Sequence, residues 1–527
     1  MKKRIRNISL LAIGTILGLT SCNLSFEVGG GDSSTSAVTP STSSNGETTP
    51  DNSENVPVDK LARAYSMGLD VREKYNLNFL PSLPSVGNSK MLVVPVRIKG
   101  AATLNITDAQ IKTSLNKAFF GKTEDTGWES VSSFYNKSSY GKLNITGTVS
   151  DVLDTSVTMK QLNSAGDQQA TELTNKVLEE AYEKFFINGT YNVDDYDSNK
   201  DGHIDSVYLV YLAEENPNKP ALWAYTYWWD SLNEADYDKY GALGAYCWSS
   251  FNFMLHDHRF SLDKPDAHTY IHESGHLQSL DDYYNYYDAS TSPMGGIDMM
   301  DYNIGDHSSF TKYSLGWIVP EVIMDTDNIE SKEITLRPFE ESGDALVIAN
   351  NFNQSSLDEF LILEYYTPTG LNEADAKTRY ELGGSTCFTK PGIKIYHADQ
   401  RIGQLKYDQR RGWTWNGKFT DRIVTTPDSY TKILGSNGMN PDTKEGYSES
   451  GFNLITLMDG SRAKSTSTVT KFEEANLAAT DKTLFKEGDT FENHYEDYTF
   501  NDGSQLKYNI EIASITPEGA TIRVTKK

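Results

Sequence analysis

The sequence predicts an α+β fold: a twisted sheet with helices, one of which carries a candidate active site, followed by a β-rich C-terminal region. Three observations predict it. Between Met91 and Phe186, buried-strand and amphipathic-helix patterns succeed one another. A helix-period segment, Asp266 to Asp282, holds His272 and His276 four residues apart, with Glu273 beside the first. After Trp317 and Pro320 the pattern changes to short β-like runs separated by turn residues. The expected divisions are 1–21, 22–58, 59–87, 88–320 and 321–527.

Met1 to Ser21 has the form of a targeting segment. Lys2, Lys3, Arg4 and Arg6 precede an apolar run from Ile8 to Leu19 that is too short for a lasting membrane span. Leu19-Thr20-Ser21-Cys22 fits a bacterial lipobox, so Cys22 is the expected lipidated first residue of the mature chain. Each buried methylene of an acyl chain contributes about 0.8 kcal/mol, enough for a multiply acylated cysteine to hold the protein on a membrane surface. Asn23 to about Val58 is rich in Ser, Thr, Gly, Asn and Pro and is expected to be a disordered tether, with an average reach of about 30 to 35 Å. Asp59 to Gly87 reads as an N-terminal brace or propeptide-like segment, and it contains no cysteine to block a metal.

In the next region Met91 to Ile98 reads as a buried strand by its β-branched run. Asp108 to Phe120 and Glu129 to Tyr140 read as helices, and Lys142 to Val152 as an alternating strand. Gln168 to Phe186 is a longer amphipathic helix, expected to pack across the sheet behind the site. Between Asp195 and Asp205, oxygen side chains recur at Asp197, Asn199, Asp201 and Asp205, with Gly202 for a tight turn and Ile204 after it. A calcium loop needs that pattern, although Tyr208 replaces the bidentate glutamate of a full EF-hand. The alternative is a solvated acidic turn before a strand from Ser206 to Ala213. Leu243 to Met254 reads as another strand, either bordering the cleft with a free edge for an extended substrate or lying in the core. His256, Asp257 and His258 form an HxH group in an expected loop, where His256 and His258 read as surface histidines rather than a second metal site.

The chemistry concentrates in DAHTYIHESGHLQSLDD, residues 266–282. On a helix, His272 and His276 lie four apart and project from one face, so two imidazoles can close on one zinc ion. Glu273 then stands to one side, where its carboxylate can take a proton from water rather than bind the metal. With nine histidines in the chain, chance would produce this HExxH spacing in roughly one such chain in a hundred. The expected third ligand is Asp282, which requires the helix to end sharply near Ser279; Asp281, Asp288 and Asp298 are the substitutes. Downstream, GGIDMMDY offers Met300 as an apolar floor under the metal and Tyr302 as a donor to a charged intermediate. His268 is two turns from His276 and cannot share an ion with both histidines, so its expected use is orientation or packing.

HESGHLQSLDDYY, then GGIDMMDYN and DHSSFTKYSLGW, resemble the core of the M6 metallopeptidases, the immune inhibitor A group, whose pattern is HExGHxxGLPDxYD followed by a methionine turn. MLVVPVRIKG, SFYNKSSYGKLNITGTV and DSNKDGHIDSVYLVYLA upstream, and EFLILEYY and GIKIYHADQR downstream, extend the likeness over roughly residues 88 to 400. The resemblance implies a secreted zinc endopeptidase with a zincin-type catalytic domain. Ser279 stands where that pattern has glycine, and Asp281 where it has proline.

The C-terminal runs ITLRPF, ALVIANN, EFLILEYY, GIKIYHA, LKYNIEIASI and ATIRVTK suggest a β-rich region packed on the catalytic domain, with residues 401–450 as long unpatterned loops. Glu364 and His397 are expected to pack or hydrogen-bond. Glu321 and Asp325 have the ExxxD spacing of another zinc-peptidase class, but Pro320 and a strand-like context argue against them. Cys247 and Cys387 permit a disulfide without requiring one. A net charge of −25 argues against nucleic-acid partners. The expected protein is thus a monomeric, membrane-anchored zinc endopeptidase of extracellular proteins or peptides, with calcium as a second ion. The alternative is a degenerate surface lipoprotein that binds proteins or glycans.

Overall fold

The structure, a computed structural model, describes residues 56–57 and 83–527, apart from 103, 230, 232, 287–291, 328, 354, 382–385, 410–411, 421, 427, 439–449 and 463–477. The targeting segment, Cys22, nearly all of the tether, residues 59–82 and Asp288 therefore lie outside the described residues. No helix among the described residues is long and apolar enough to cross a membrane.

The fold is a mixed α+β arrangement built on several sheets. In the first region β1 (Gly87–Lys99), α1 (Asp108–Phe120) and α2 (Val131–Ser138) are followed by β2 (Leu143–Val149), β3 (Leu153–Thr158) and α3 (Asp167–Tyr182). The chain continues through β4 (Val207–Tyr211), β5 (Tyr225–Trp228), β6 (Ala245–Ser250) and the motif helix α4 (His268–His276). Strand order is β2-β1-β4-β6-β5, with β3 also paired to β1. All pairs are parallel except β5 on β6. A central parallel strand must bury both faces, and β1 does: Met91 and Val93 join one core, Leu92, Val94, Val96 and Ile98 the other. Helix α3 covers the second core, on the face of the sheet opposite α4. Helix α1 starts where Thr107 and Gln110 form a reciprocal capping box, which satisfies two otherwise orphaned amides.

Of the two readings of Leu243 to Met254, the core strand holds, over a shorter span, and the free edge does not. Only Ala245–Ser250 is extended, and it lies inside the sheet, paired to β4 on one side and β5 on the other. The edge beside the motif helix is β5, whose four residues are too few to show a periodicity.

The end of the brace docks on the motif helix: Leu83 is buried and its amide donates to the Leu277 carbonyl at 2.9 Å, while the Trp317 indole donates to Ser85 O at 2.7 Å.

Beyond two short helices, α5 (Met299–Tyr302) and α6 (Ser309–Ser314), the β-rich region begins. It contains β7 (Glu321–Met324), β8 (Ser331–Leu336), β9 (Ala345–Ala349), β10 (Glu359–Tyr366) and β11 (Gly392–Asp399). A ribbon of β12 (Ile402–Asp408), β13 (Gly412–Phe419) and β14 (Ser429–Ile433) precedes β15 (Ile455–Leu457), β16 (Tyr508–Thr516) and β17 (Gly519–Lys526). A five-stranded sheet, β15-β11-β10-β9-β7, is buried on both faces. Leu346, Ile348, Leu361 and Leu363 pack toward the three-stranded sheet β16-β17-β8, whereas Val347, Ile362 and Tyr396 enter the core shared with α4. Residues 401–450 are not simply loops: β12, β13 and β14 pair antiparallel there. Lys406, Tyr407 and Asp408 face solvent, so the ribbon has little of the apolar alternation that marks a half-buried strand.

Candidate metal centre

Helix α4 is fixed at several points along its length. At its start His268 is fully buried between the Trp128 and Tyr380 rings, with centroids 4.1 and 4.2 Å away. Its Nδ1 meets Asp266 at 2.7 Å and its Nε2 meets Asp375 at 3.1 Å. Burial alone would disfavour the imidazolium, but Asp375 and Asp266 outweigh it and raise His268 to about 9. Further along, the Tyr135 hydroxyl donates to Ile271 O at 2.7 Å. At Gly275 a Cβ would lie 2.5 Å from the Met300 sulfur, so the glycine is required for Met300 to sit against the helix.

The helix ends through a Schellman arrangement. Leu280 N donates to Gly275 O at 3.3 Å and Ser279 N to His276 O at 2.9 Å, with Ser279 left-handed at φ +62°. The serine therefore makes the turn for which glycine is the usual residue. It returns the chain so that Asp282 faces the helix.

His272 Nε2 lies 2.9 Å and His276 Nε2 3.3 Å from the same oxygen, Asp282 Oδ1. The other ring nitrogens are engaged: His272 Nδ1 is 2.7 Å from Met299 O and His276 Nδ1 is 2.8 Å from Leu280 O. A carbonyl only accepts, so each Nδ1 carries the hydrogen and each neutral ring would leave its Nε2 lone pair for a metal. Burial acts to raise Asp282 and to lower His276, yet their mutual attraction prevails. It holds Asp282 well below the usual carboxylate range and His276 up at about 10. The pocket thus favours one positive charge between the rings, supplied by a proton or a cation. This donor set fits zinc: two imidazoles and a carboxylate, with carbonyls orienting both rings.

Glu273 is buried beside this group, and one side-chain donor atom from each of His272, Glu273 and His276 lies within 4.8 Å of the other two. Burial pushes its carboxyl above the ordinary range; His276 and His272 oppose the shift. Its Oε2 accepts from Thr226 Oγ1 at 3.1 Å, and the same hydroxyl lies 3.0 Å from Glu273 O. Thr226 comes from the edge strand β5.

Of the substitutes for Asp282, Asp298 is committed to structure. Its carboxylate accepts from the amides of Met300 and Ser308, each at 2.8 Å, and its backbone is held at φ 138°. Tyr302 stands at the end of α5, 37% exposed, with its ring 6.4 Å from that of Tyr284. The sequence reading missed Tyr286, whose hydroxyl donates to Asp282 Oδ2 at 2.5 Å, as well as Thr226. A tyrosine four residues past the ligand was the available signal for Tyr286; Thr226 had none.

No protein-family model matches the chain, and no curated protein matches it in sequence.

The acidic loop is closed on its own amides, with Asp197 and Asp205 buried and Asn199 and Asp201 exposed. Asp197 accepts from the amides of Asp201 at 3.1 Å and Gly202 at 2.9 Å, and Asn199 Oδ1 also accepts from Asp201 N at 3.1 Å. Asp205 is buried and accepts from Ser198 N at 3.0 Å. Burial pushes Asp205 up to about 7 against the Ser198 hydrogen bonds, with Asp197 and Asp201 adding to the rise. Tyr208, at the EF-hand glutamate position, is buried in β4.

Away from the centre, His258 Nδ1 lies 2.6 Å from Glu381, while the Asp257 carboxylate is taken up by the Arg259 guanidinium and by the Arg259 and Glu381 amides. His256 is 3.5 Å from Glu215. Glu321 pairs with Lys332, and Asp325 with Lys507 at 2.6 Å, remote from the histidine pair. Glu364 meets Lys394 at 3.1 Å and His397 meets Glu359 at 2.9 Å. Cys247 and Cys387 are buried free thiols; Cys247 Sγ lies 3.4 Å from Glu273 O, beneath the helix.

Proposed function

We propose that the protein is a zinc endopeptidase of the zincin type, held on a bacterial membrane surface by a lipid at Cys22 and acting on proteins or peptides outside the cytoplasm. One observation carries the reading: two Nε2 atoms, each with its partner Nδ1 engaged by a carbonyl, turned onto one oxygen of Asp282 beside a buried glutamate. His272, His276 and Asp282 would hold the metal. When bound, zinc supplies Lewis-acid chemistry, polarising a peptide carbonyl and easing deprotonation of water. Glu273 takes a proton from the attacking water, whose oxygen bonds to the carbonyl carbon, and delivers it to the nitrogen as the C–N bond breaks. A carboxyl raised by burial suits both halves of that transfer. Tyr302 is the proposed donor to the oxygen that gains charge. The loop Asp197, Asn199, Asp201 and Asp205 would take calcium.

Casein digestion tests the reading. Wild-type protein should cleave casein and lose that activity with a chelator. Glu273→Gln should keep zinc by elemental analysis while cleavage falls by at least about 10²-fold. A variant with zinc and full activity contradicts the base assignment, and a wild type that binds protein without cutting it supports a binding module instead. Cys22→Ser should move the protein from the detergent to the aqueous phase on partitioning; unchanged partitioning removes the anchor.

A further inference from the structure

Asp282 lies on a loop beyond the helix end, where backbone geometry alone does not aim a carboxylate. Its Oδ1 faces both Nε2 atoms, and its Oδ2 accepts the Tyr286 hydroxyl at 2.5 Å. With one oxygen held in this way, the other is presented to the histidine pair.

Tyr286 is itself backed by the C-terminal region. A Cβ on Gly438 would lie 2.4 Å from Tyr286 Cε2 and 2.7 Å from Cδ2, so the ring rests directly on the bare backbone there. The neighbouring Asn437 is fully buried and spans the junction. Its Nδ2 donates to Tyr283 O at 2.7 Å and to Ile455 O at 2.9 Å, and its Oδ1 accepts from Ile455 N at 3.1 Å. Two backbone bonds extend the same seam toward the methionine turn, Leu457 N to Pro293 O at 2.9 Å and Ala479 N to Gly295 O at 2.7 Å. One amide side chain thus ties the ligand loop to the edge strand of a sheet more than 150 residues away in sequence.

We propose that Tyr286 is a positioning residue for the third metal ligand, and that Asn437 and Gly438 form the wall that holds it, so the C-terminal region completes the metal centre. This rests on the metal reading of the same site. The contact is specific in kind: a hydroxyl fixes one carboxylate oxygen, a ring fixes the hydroxyl, and a residue without a side chain leaves room for the ring.

Zinc affinity by chelator competition, and the visible spectrum of the cobalt(II)-substituted protein, test the assignment on the full chain. Tyr286→Phe keeps the ring and removes the hydroxyl. It should weaken zinc binding by about 10- to 100-fold and change the cobalt spectrum, while the metal-free unfolding temperature stays near that of wild type. Gly438→Ala should shift affinity in the same direction by displacing the ring. Arg523→Ala, in a surface ion pair with Glu333, serves as a C-terminal control and should bind as wild type. The assignment is overturned if Tyr286→Phe and Gly438→Ala both bind zinc as tightly as wild type with the same cobalt spectrum. Wild-type protein that binds no zinc overturns the proposed function, and this assignment with it.

Discussion

At the scale of single residues, His268 carries an unusual share of the placement of helix α4. It has no solvent exposure, stacks between two aromatic rings, and joins Asp266 to Asp375. Its folded pKa of about 9 lies above the unfolded value of about 6.5. The contribution is therefore complete below about pH 6.5 and is lost as pH rises through about 9, a change of order 3 kcal/mol. Thermal unfolding should show His268→Gln well below wild type at pH 6, with the gap narrowing above pH 9. A gap that stays constant with pH would mean the ring matters only for its shape. The sequence placed His268 outside the ligand set by counting helical turns and shows Asp266 two residues before it, but Asp375 comes from the far region and left no local signal. Ser279 is the opposite case. Its departure from glycine was legible, yet only the structure reveals that the serine takes the left-handed conformation, at a cost of about 1 kcal/mol.

Among elements, those with a buried face were legible. Helix α1 was read to the residue, and β10 and β11 were visible as apolar runs because their sheet is covered on both sides. The misses follow the same logic. Strand β5 is too short for a period, and the ribbon of β12, β13 and β14 presents polar groups to water. The acidic loop was read as calcium-ligand spacing, and its folded form yields a pH test of that reading. Asp205 has a folded pKa of about 7, above its unfolded value of about 3.9, so its contribution favours the folded state at low pH and is lost as pH rises from about 4 to about 7. A cation in the loop offsets that loss because it needs the ionised carboxylate. Calcium at about 100 times its dissociation constant should add about 2.7 kcal/mol of stability. The rise in unfolding temperature should be larger at pH 7.5 than at pH 5.5 and absent in Asp205→Asn. Equal rises in wild type and variant would remove calcium from this loop.

On the scale of the whole molecule, the boundary at residue 320 marks a change of pattern rather than a gap in the core. Met91, Tyr135 and Ile271 belong to the same apolar cluster as Val347, Ile362, Tyr396 and Leu457. Polar contacts cross the boundary too: Ser309 N donates to Glu364 at 2.7 Å, Asp306 N to Asn372 at 2.9 Å, and Ser314 Oγ to Gln400 at 3.0 Å, all buried. A change from helix-and-strand alternation to short strands is visible in one dimension, whereas a shared core is a long-range property. Removing residues 320–527 would expose the apolar face that those strands cover. Each large side chain so exposed costs about 1.5 to 3 kcal/mol, and a handful of them exceeds the 5 to 15 kcal/mol that stabilises a typical domain. A chain ending at Val319 should therefore show no cooperative unfolding transition and no fixed near-ultraviolet dichroism, whereas the full chain should unfold in one step. A sharp transition in the shortened chain would mean that the first region folds alone. Because Tyr286 rests on Gly438, zinc affinity in such a fragment should still fall well below that of the whole protein.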